Sequence, residues 1–294
     1  PGIGREVNGS RRWIDLGPFT VQVSETVKLF IIVYLAGYLV RRGHLVQTTF
    51  GGFLRPLVLI CVASALLLAE PDFGAAAVIV LTAMIMLFVA GVRFTQFAAL
   101  LGLLGAVGAA LIALSPYRAA RFASFLDPWS DPFGSGFQLT QSLIAIGSGG
   151  LTGVGFGSSV QKLFYLPEAH TDFLFAVLCE ELGLIGALAL VALYGFIVWR
   201  CFRLSRIADE RGDRFASAVA LGIGVWVGLQ SFINMGVNMG VLPTKGITLP
   251  LMSYGGSSAI VFAVTFSLLL RVEWELAQRP PGEASPGGRA EGDG

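Results

Sequence analysis

The sequence predicts an all-α, polytopic integral membrane protein, and three observations carry that prediction. Of its 294 residues, 54% are hydrophobic and only 13% charged, against about 25% charged in ordinary soluble domains. Its mean hydropathy is +0.73. Apolar runs of about 17 to 25 residues, the length a helix needs to cross a hydrocarbon core, recur along nearly the whole chain. Together these exclude a soluble enzyme. With a net charge of only +1 and no basic run interleaved with aromatics, no nucleic acid partner is expected.

Seven runs bounded by charge, proline and glycine read as spans, over about 22–40, 54–70, 73–91, 95–115, 172–199, 215–240 and 250–272. Between the second and third, the stretch EPDFG (Glu70 to Gly74) places a proline and two acids where a membrane surface suits them, predicting a helical hairpin. Alternating crossings sort the basic residues into two sets. The larger set runs from Arg41 and Arg42 through the Arg200 to Arg214 cluster to Arg271, and the positive-inside rule assigns it to the cytoplasm. Arg118, Arg121, Lys162 and Lys245 then face outward, together with a long connection over 116–171.

Within that connection, Phe137 to Ile146 is apolar but too short to span, which suits an interfacial or re-entrant helix in a lid-like loop. The following GSGGLTGVGFGSS, Gly147 to Ser159, has two readings: turns that let the loop pack closely, or backbone N–H groups cradling an anion. It matches neither of the usual phosphate-loop patterns. The three cysteines, Cys61, Cys179 and Cys201, include no CxxC pair and read as small buried hydrophobes. The membrane domain is expected over 1–278, with residues 279–294, rich in Pro and Gly, forming a disordered cytoplasmic tail. Because the chain opens without Met, signal pattern or apolar span, we expect N-terminal spans to be missing.

Ionisable groups inside spans cost about 2.5 to 3.5 kcal/mol each on insertion scales, so each one calls for a partner or a role. Glu25, Lys28, Asp172, Glu180 and Glu181 are in this position. Glu25 and Lys28 are three apart on a helix and can pair, either as a structural ion pair or to position a reacting group. Asp172 follows Thr171, a plausible N-cap, so its carboxylate would sit in the first turn of a helix. It is either a helix-start acid or, with Glu168 and His170 beside it in LPEAHTDF, the centre of a site. Glu180 and Glu181 would lie about 12 to 13.5 Å further along, paired with a neighbouring helix or strung along an ion path. In NMGVNMGVLPTKGITLPLMSYGGSS, Asn234 to Ser258, prolines and glycines break the helical pattern; such backbone needs protein or a water-filled cavity around it. The spacings Gly224/Gly228 and Gly236/Gly240 suit close helix packing.

GREVNGSRRWIDLG, VSETVKL, FLDPWSDPFGSGFQLTQSLIAIGSGGLTGVGFG, LPEAHTDFLFAVLCEELG and GVLPTKGITLPLMSYGGSS together resemble the SEDS family (shape, elongation, division and sporulation). The resemblance runs from about Gly4 to Glu275 and is nearer the family's division branch than its elongation branch. It implies ten spans, of which seven are present here, and a peptidoglycan glycosyltransferase that polymerises lipid II outside the bacterial cytoplasmic membrane, at the division septum, releasing undecaprenyl diphosphate. The family's essential aspartate corresponds to Asp172, as general base. Its acid and lysine pair correspond to Glu25 and Lys28, with Val23 where the family motif has proline. Glu168, His170, Thr171 and Ser253 would line the substrate site, and Lys162, Arg118, Arg121 and Lys245 are the cations available for the pyrophosphate. No metal-ligand motif is present, although a divalent metal ion could assist. The implied partners are a class B penicillin-binding transpeptidase (FtsI) and the FtsQLB division complex. The alternatives are a lipid II flippase, an elongation-type polymerase and a non-catalytic division scaffold.

Overall fold

The computed structural model describes residues 4–7, 10–15, 20–70, 72–162, 170–243 and 246–278. The helices, in order, are α1 (Val23–Thr48), α2 (Phe50–Ala69), α3 (Phe73–Val89), α4 (Phe94–Ala113), α5 (Pro116–Leu126), α6 (Phe137–Gly149), α7 (Leu174–Glu210), α8 (Arg214–Asn238) and α9 (Gly256–Gln278). Each predicted span falls on one of them. Five of these helices are long and apolar enough to cross a membrane, and α3 is a shorter apolar helix. The short apolar stretch of the outer connection is α6, as expected, and α5 is an additional helix there. The expected tail lies outside the described residues.

Two differences from the expectation have plain causes. First, helices outrun the apolar runs: α7 continues to Glu210 and α1 to Thr48. Bilayer thickness limits the apolar stretch, whereas charged residues such as Arg and Glu prolong the helix beyond it. Second, the chain is not purely helical. Strands β1 (Gly4–Val7), β2 (Ser10–Asp15) and β3 (Thr20–Gln22) form an antiparallel sheet in the order β1-β2-β3, with Arg5 opposite Trp13 and Ile14 opposite Val21. Asn8-Gly9 between the first two is a hairpin signal that a search for apolar spans passes over; those two residues lie outside the described set.

The chain divides into two compact units, Pro1–Phe94 with Gly195–Leu229 and Gly256–Gly294, and Thr95–Tyr194 with Gln230–Gly255. In the first, α1 packs on α2, α3 and α9, and α2 on α3. The predicted hairpin is present: Asp72 accepts a hydrogen bond from the Ala75 N–H at 3.1 Å and so caps α3. Thr49 caps α2 in the same way from Gly52. Gly224 and Gly228 do serve close packing: a Cβ on Gly224 would lie 2.7 Å from the Cys201 Cβ, and one on Gly228 3.2 Å from Val198. Cys179 and Cys201 are buried, but Cys61 is exposed on α2, so the apolar face of α2 does not enclose it.

Candidate active site

The second unit is organised by a row of buried amides on α8. Gln230, Asn234 and Asn238 recur every fourth residue and therefore share one face of the helix. All three are at most 2% exposed. They supply donors to a chain that has left the helix: Gln230 Nε2 donates to the Thr248 carbonyl at 3.0 Å and Asn234 Nδ2 to the Ile247 carbonyl at 2.6 Å. Tyr194 also donates to the Pro250 carbonyl. Backbone without a helix partner would otherwise cost several kcal/mol at membrane depth, of the order expected for an unsatisfied polar group. Gly240, with φ +70°, ends α8: the Val241 N–H reaches the Gly236 carbonyl at 2.8 Å and the Gly240 N–H the Val237 carbonyl at 3.1 Å. This double closure needs a left-handed residue. Gly236 and Gly240 thus serve the helix end rather than a helix–helix seam.

The same segment holds three successive carbonyls ahead of α7. That of His170 accepts from the Tyr254 N–H at 2.9 Å, that of Thr171 from Ser253 Oγ at 2.5 Å, and that of Asp172 from Asn234 and Asn238 Nδ2 at 2.8 and 3.0 Å. Helix α7 starts at Leu174, and the Ala176 and Val177 N–H groups point to the Phe173 carbonyl. Thr171 is therefore not the N-cap, and Asp172 lies just before the first turn rather than in it. A cap comes instead from another helix, since Asn238 Oδ1 accepts from the Ala176 N–H at 3.1 Å. Below, Phe173, Ala176 and Val177 pack on Ala145 of α6. Asn238→Ala would take one of two acceptors from the Ala176 N–H and one of two donors from the Asp172 carbonyl, a loss of about 1 to 3 kcal/mol, seen as a lower thermal midpoint of the purified protein.

The Asp172 side chain is half-buried and points at Gly246, where a Cβ would lie 3.0 Å from Asp172 Oδ2. The glycine leaves room for the carboxylate. Gly246→Ala is expected to displace it by a few tenths of an ångström and lower activity roughly tenfold, with the melting temperature unchanged.

Helix α7 is broken at Gly183, where φ is +65° and ψ −161°, a conformation open to glycine alone. The break frees backbone groups, and the glycine-rich segment takes them up. The Val154 and Gly155 N–H groups donate to the Glu180 and Glu181 carbonyls at 3.0 and 3.1 Å; the Leu184 and Ile185 N–H groups donate to the Gly150 and Leu151 carbonyls at 2.9 and 3.2 Å. A side chain on Gly149 would meet the Cys179 carbonyl, and one on Gly153 the Glu181 carbonyl. Of the two readings of this loop, the geometry supports close packing. The acids expected to face another helix face this loop instead. Glu180 accepts from the Ser159 hydroxyl and from the Val160 and Gln161 N–H groups. Glu181 pairs with Lys162 Nζ at 2.6 Å, which also donates to the Gly157 carbonyl.

The predicted site residues thus fall into four groups. Asp172, Thr171, His170 and Ser253 are brought together, but Ser253 acts on backbone, donating to Thr171 and accepting from the Leu249 N–H at 2.7 Å. Lys162 has its charge balanced by Glu181, which removes it from the cations available for a phosphate. Glu25 and Lys28 lie in the first unit, joined at 2.7 Å, both buried, with Lys28 Nζ 5.4 Å from the Trp226 ring centroid and Trp226 stacked on Phe262. Glu168 and Lys245 lie outside the described residues, as do the side chains of Arg118 and Arg121 on α5. Sequence reasoning missed the roles of Gln230, Asn238, Ser159 and Tyr194; the spacing of the amides was the available signal. Among the described residues no three His, Cys, Asp or Glu side chains converge on a point that could hold a metal ion.

A multi-pass membrane chain with a broken seventh helix and an acid held on pinned backbone at its start is a defined class of protein. A family profile covering FtsW, RodA and SpoVE, described as cell cycle protein, matches residues 2–278. The chain belongs to that family. It is 59% identical over 281 residues to the probable peptidoglycan glycosyltransferase FtsW of Thioalkalivibrio sulfidiphilus, covering 96% of this chain and 70% of that relative. The protein of the same name in Methylococcus capsulatus is 57% identical over 275 residues, 94% of this chain and 69% of its own length. Among solved structures, a chain from work on the structural coordination of polymerization and crosslinking by a peptidoglycan synthase complex superposes with a TM-score of 0.78 at 32% identity, over 95% of this chain and 77% of that one. The rod shape determining protein RodA of Thermus thermophilus gives 0.65 at 30% identity, over 95% and 74%.

Proposed function

We propose that this chain is a septal peptidoglycan glycosyltransferase that polymerises lipid II, with Asp172 as its general base. The observation that carries the reading is the Asp172 carboxylate itself, held on three anchored carbonyls beside a glycine that leaves it room. Its relatives bear the name peptidoglycan glycosyltransferase, and the multi-pass fold admits a substrate with a long polyprenyl tail. Asp172 takes the proton from the 4-hydroxyl of the acceptor sugar. That oxygen bonds to the anomeric carbon of the lipid-linked donor as the bond to phosphate breaks, and undecaprenyl diphosphate leaves. The base must come within about 2.6 to 3.2 Å of the hydroxyl.

His170 and Glu168 border the acceptor. Arg118, Arg121 and Lys245 answer the charge on the leaving group, and Glu25 with Lys28 acts as a supporting pair. The peptidoglycan synthase complex to which one matching chain belongs supports a class B penicillin-binding transpeptidase as partner, with FtsQLB as regulator at the septum. A transport path is disfavoured because Glu180 and Glu181 are occupied by the loop rather than strung across the membrane. The deciding experiment supplies purified full-length protein and its transpeptidase with labelled lipid II. Glycan chains are expected; translocation of lipid II in vesicles without any polymer would replace this reading with that of a flippase.

A further inference from the structure

The half-helix Leu174 to Leu182 carries a second buried carboxylate that the proposed reaction does not touch. Glu180 is 3% exposed and Ser159 1% exposed, and both oxygens of Glu180 are used. Oε1 takes the Val160 N–H at 3.1 Å; Oε2 takes the Gln161 N–H at 3.4 Å and the Ser159 hydroxyl. Ser159 Oγ accepts in turn from the Lys162 N–H at 3.2 Å, so the turn is closed on itself as well as on the helix.

We propose that Glu180 is a positioning residue for polymerisation: by clasping the 159–161 turn it fixes the rotation of the half-helix about its Gly183 break, and so the aim of the Asp172 carboxylate at the other end. This rests on the reading of Asp172 as base. The leverage is considerable. Nine helical residues span about 13 Å, so a swing of about 10° at the break moves the far end by about 2 Å. A displacement near 1 Å can cost about 100-fold in rate. The three anchored carbonyls fix where the Asp172 backbone lies, and the Ala176 bond to Asn238 with packing on Ala145 holds the first turn. At the other end the backbone pairing at the break is joined by a carboxylate gripping three donors, a side-chain restraint off the helix axis. Only a carboxylate suits the position, because three donors converge on it and an amide would turn an NH2 group towards one of them.

The test compares wild type, Glu180→Gln, Ser159→Ala and the double variant, in full-length protein with its transpeptidase, on labelled lipid II. Rates are expressed per folded molecule, as judged by monodisperse yield and melting temperature. Glu180→Gln is expected to lower kcat at least tenfold with the KM for lipid II within twofold, and to move the acid limb of the pH–rate profile. The double variant should fall no further than the worse single variant, since both break one clasp. Wild-type kcat per folded Glu180→Gln molecule, or losses that add with an unmoved acid limb, would overturn the proposal. Asp172→Asn run alongside separates the two readings. If it polymerises like wild type, the base assignment fails; if it is inactive while Glu180→Gln is normal, only the positioning role fails.

Discussion

Asp172→Asn is expected to abolish glycan polymerisation, lowering the rate by about 100- to 10,000-fold, the span usually lost with a general base. The substitution keeps the size of the side chain and removes its capacity to accept the proton. The main-chain anchorage should survive it, because Asn234 and Asn238 both donate to the carbonyl of Asp172, which the substitution keeps. The measurement is the length distribution and yield of chains from labelled lipid II, beside the melting temperature. Polymer within about threefold of wild type, well outside the range for loss of a base, would refute the assignment and leave a scaffold as the better reading.

Lys28→Met should have the largest effect on stability. Its ammonium and the Glu25 carboxylate are 3% and 5% exposed and 2.7 Å apart, and Glu25 Oε2 has no other partner among the described residues. Removing the lysine strands a buried carboxylate, which costs about 3 to 5 kcal/mol, and also removes the cation facing Trp226. Low yield and early thermal unfolding in detergent should follow. The double variant Glu25→Gln with Lys28→Met should recover most of that loss, since no charge is then stranded. Its activity decides between the two readings of the pair: a stable but inactive double variant means that the pair supports the chemistry, and a stable, active one means a structural ion pair.

The helices were legible because a bilayer imposes its thickness on the sequence, so each run of apolar residues announces a span even where α1 and α7 run on past it. The hairpin of β1 and β2 was not, since four to six residues of mixed polarity leave no mark on such a scale. Asp172 stood out as an acid next to an apolar run, and the site around it was partly visible in the broken helical pattern after Asn234. The partners of Glu180 and Glu181 were not visible. They come from a loop some twenty residues earlier whose glycines say only that backbone approaches closely, not which backbone. Ser253 and Lys162 were expected to bind substrate; in the structure Ser253 bonds to the backbone of Leu249 and Thr171, and Lys162 to Glu181 and the Gly157 carbonyl. The row from Gln230 to Asn238 could have been found: three amides at a spacing of four in an otherwise apolar helix are costly unless they hold something.

The three carbonyls anchored before α7 have a consequence for how this sequence can drift. At positions 170 and 171 the grip is on atoms every amino acid possesses, so many replacements of the exposed His170 leave the anchorage as it was. The stretch is specified by its count of residues more than by their kinds. One residue gained or lost between His170 and Phe173 would shift every carbonyl past its donor and carry the carboxylate away from Gly246, a change no choice of side chains nearby could restore.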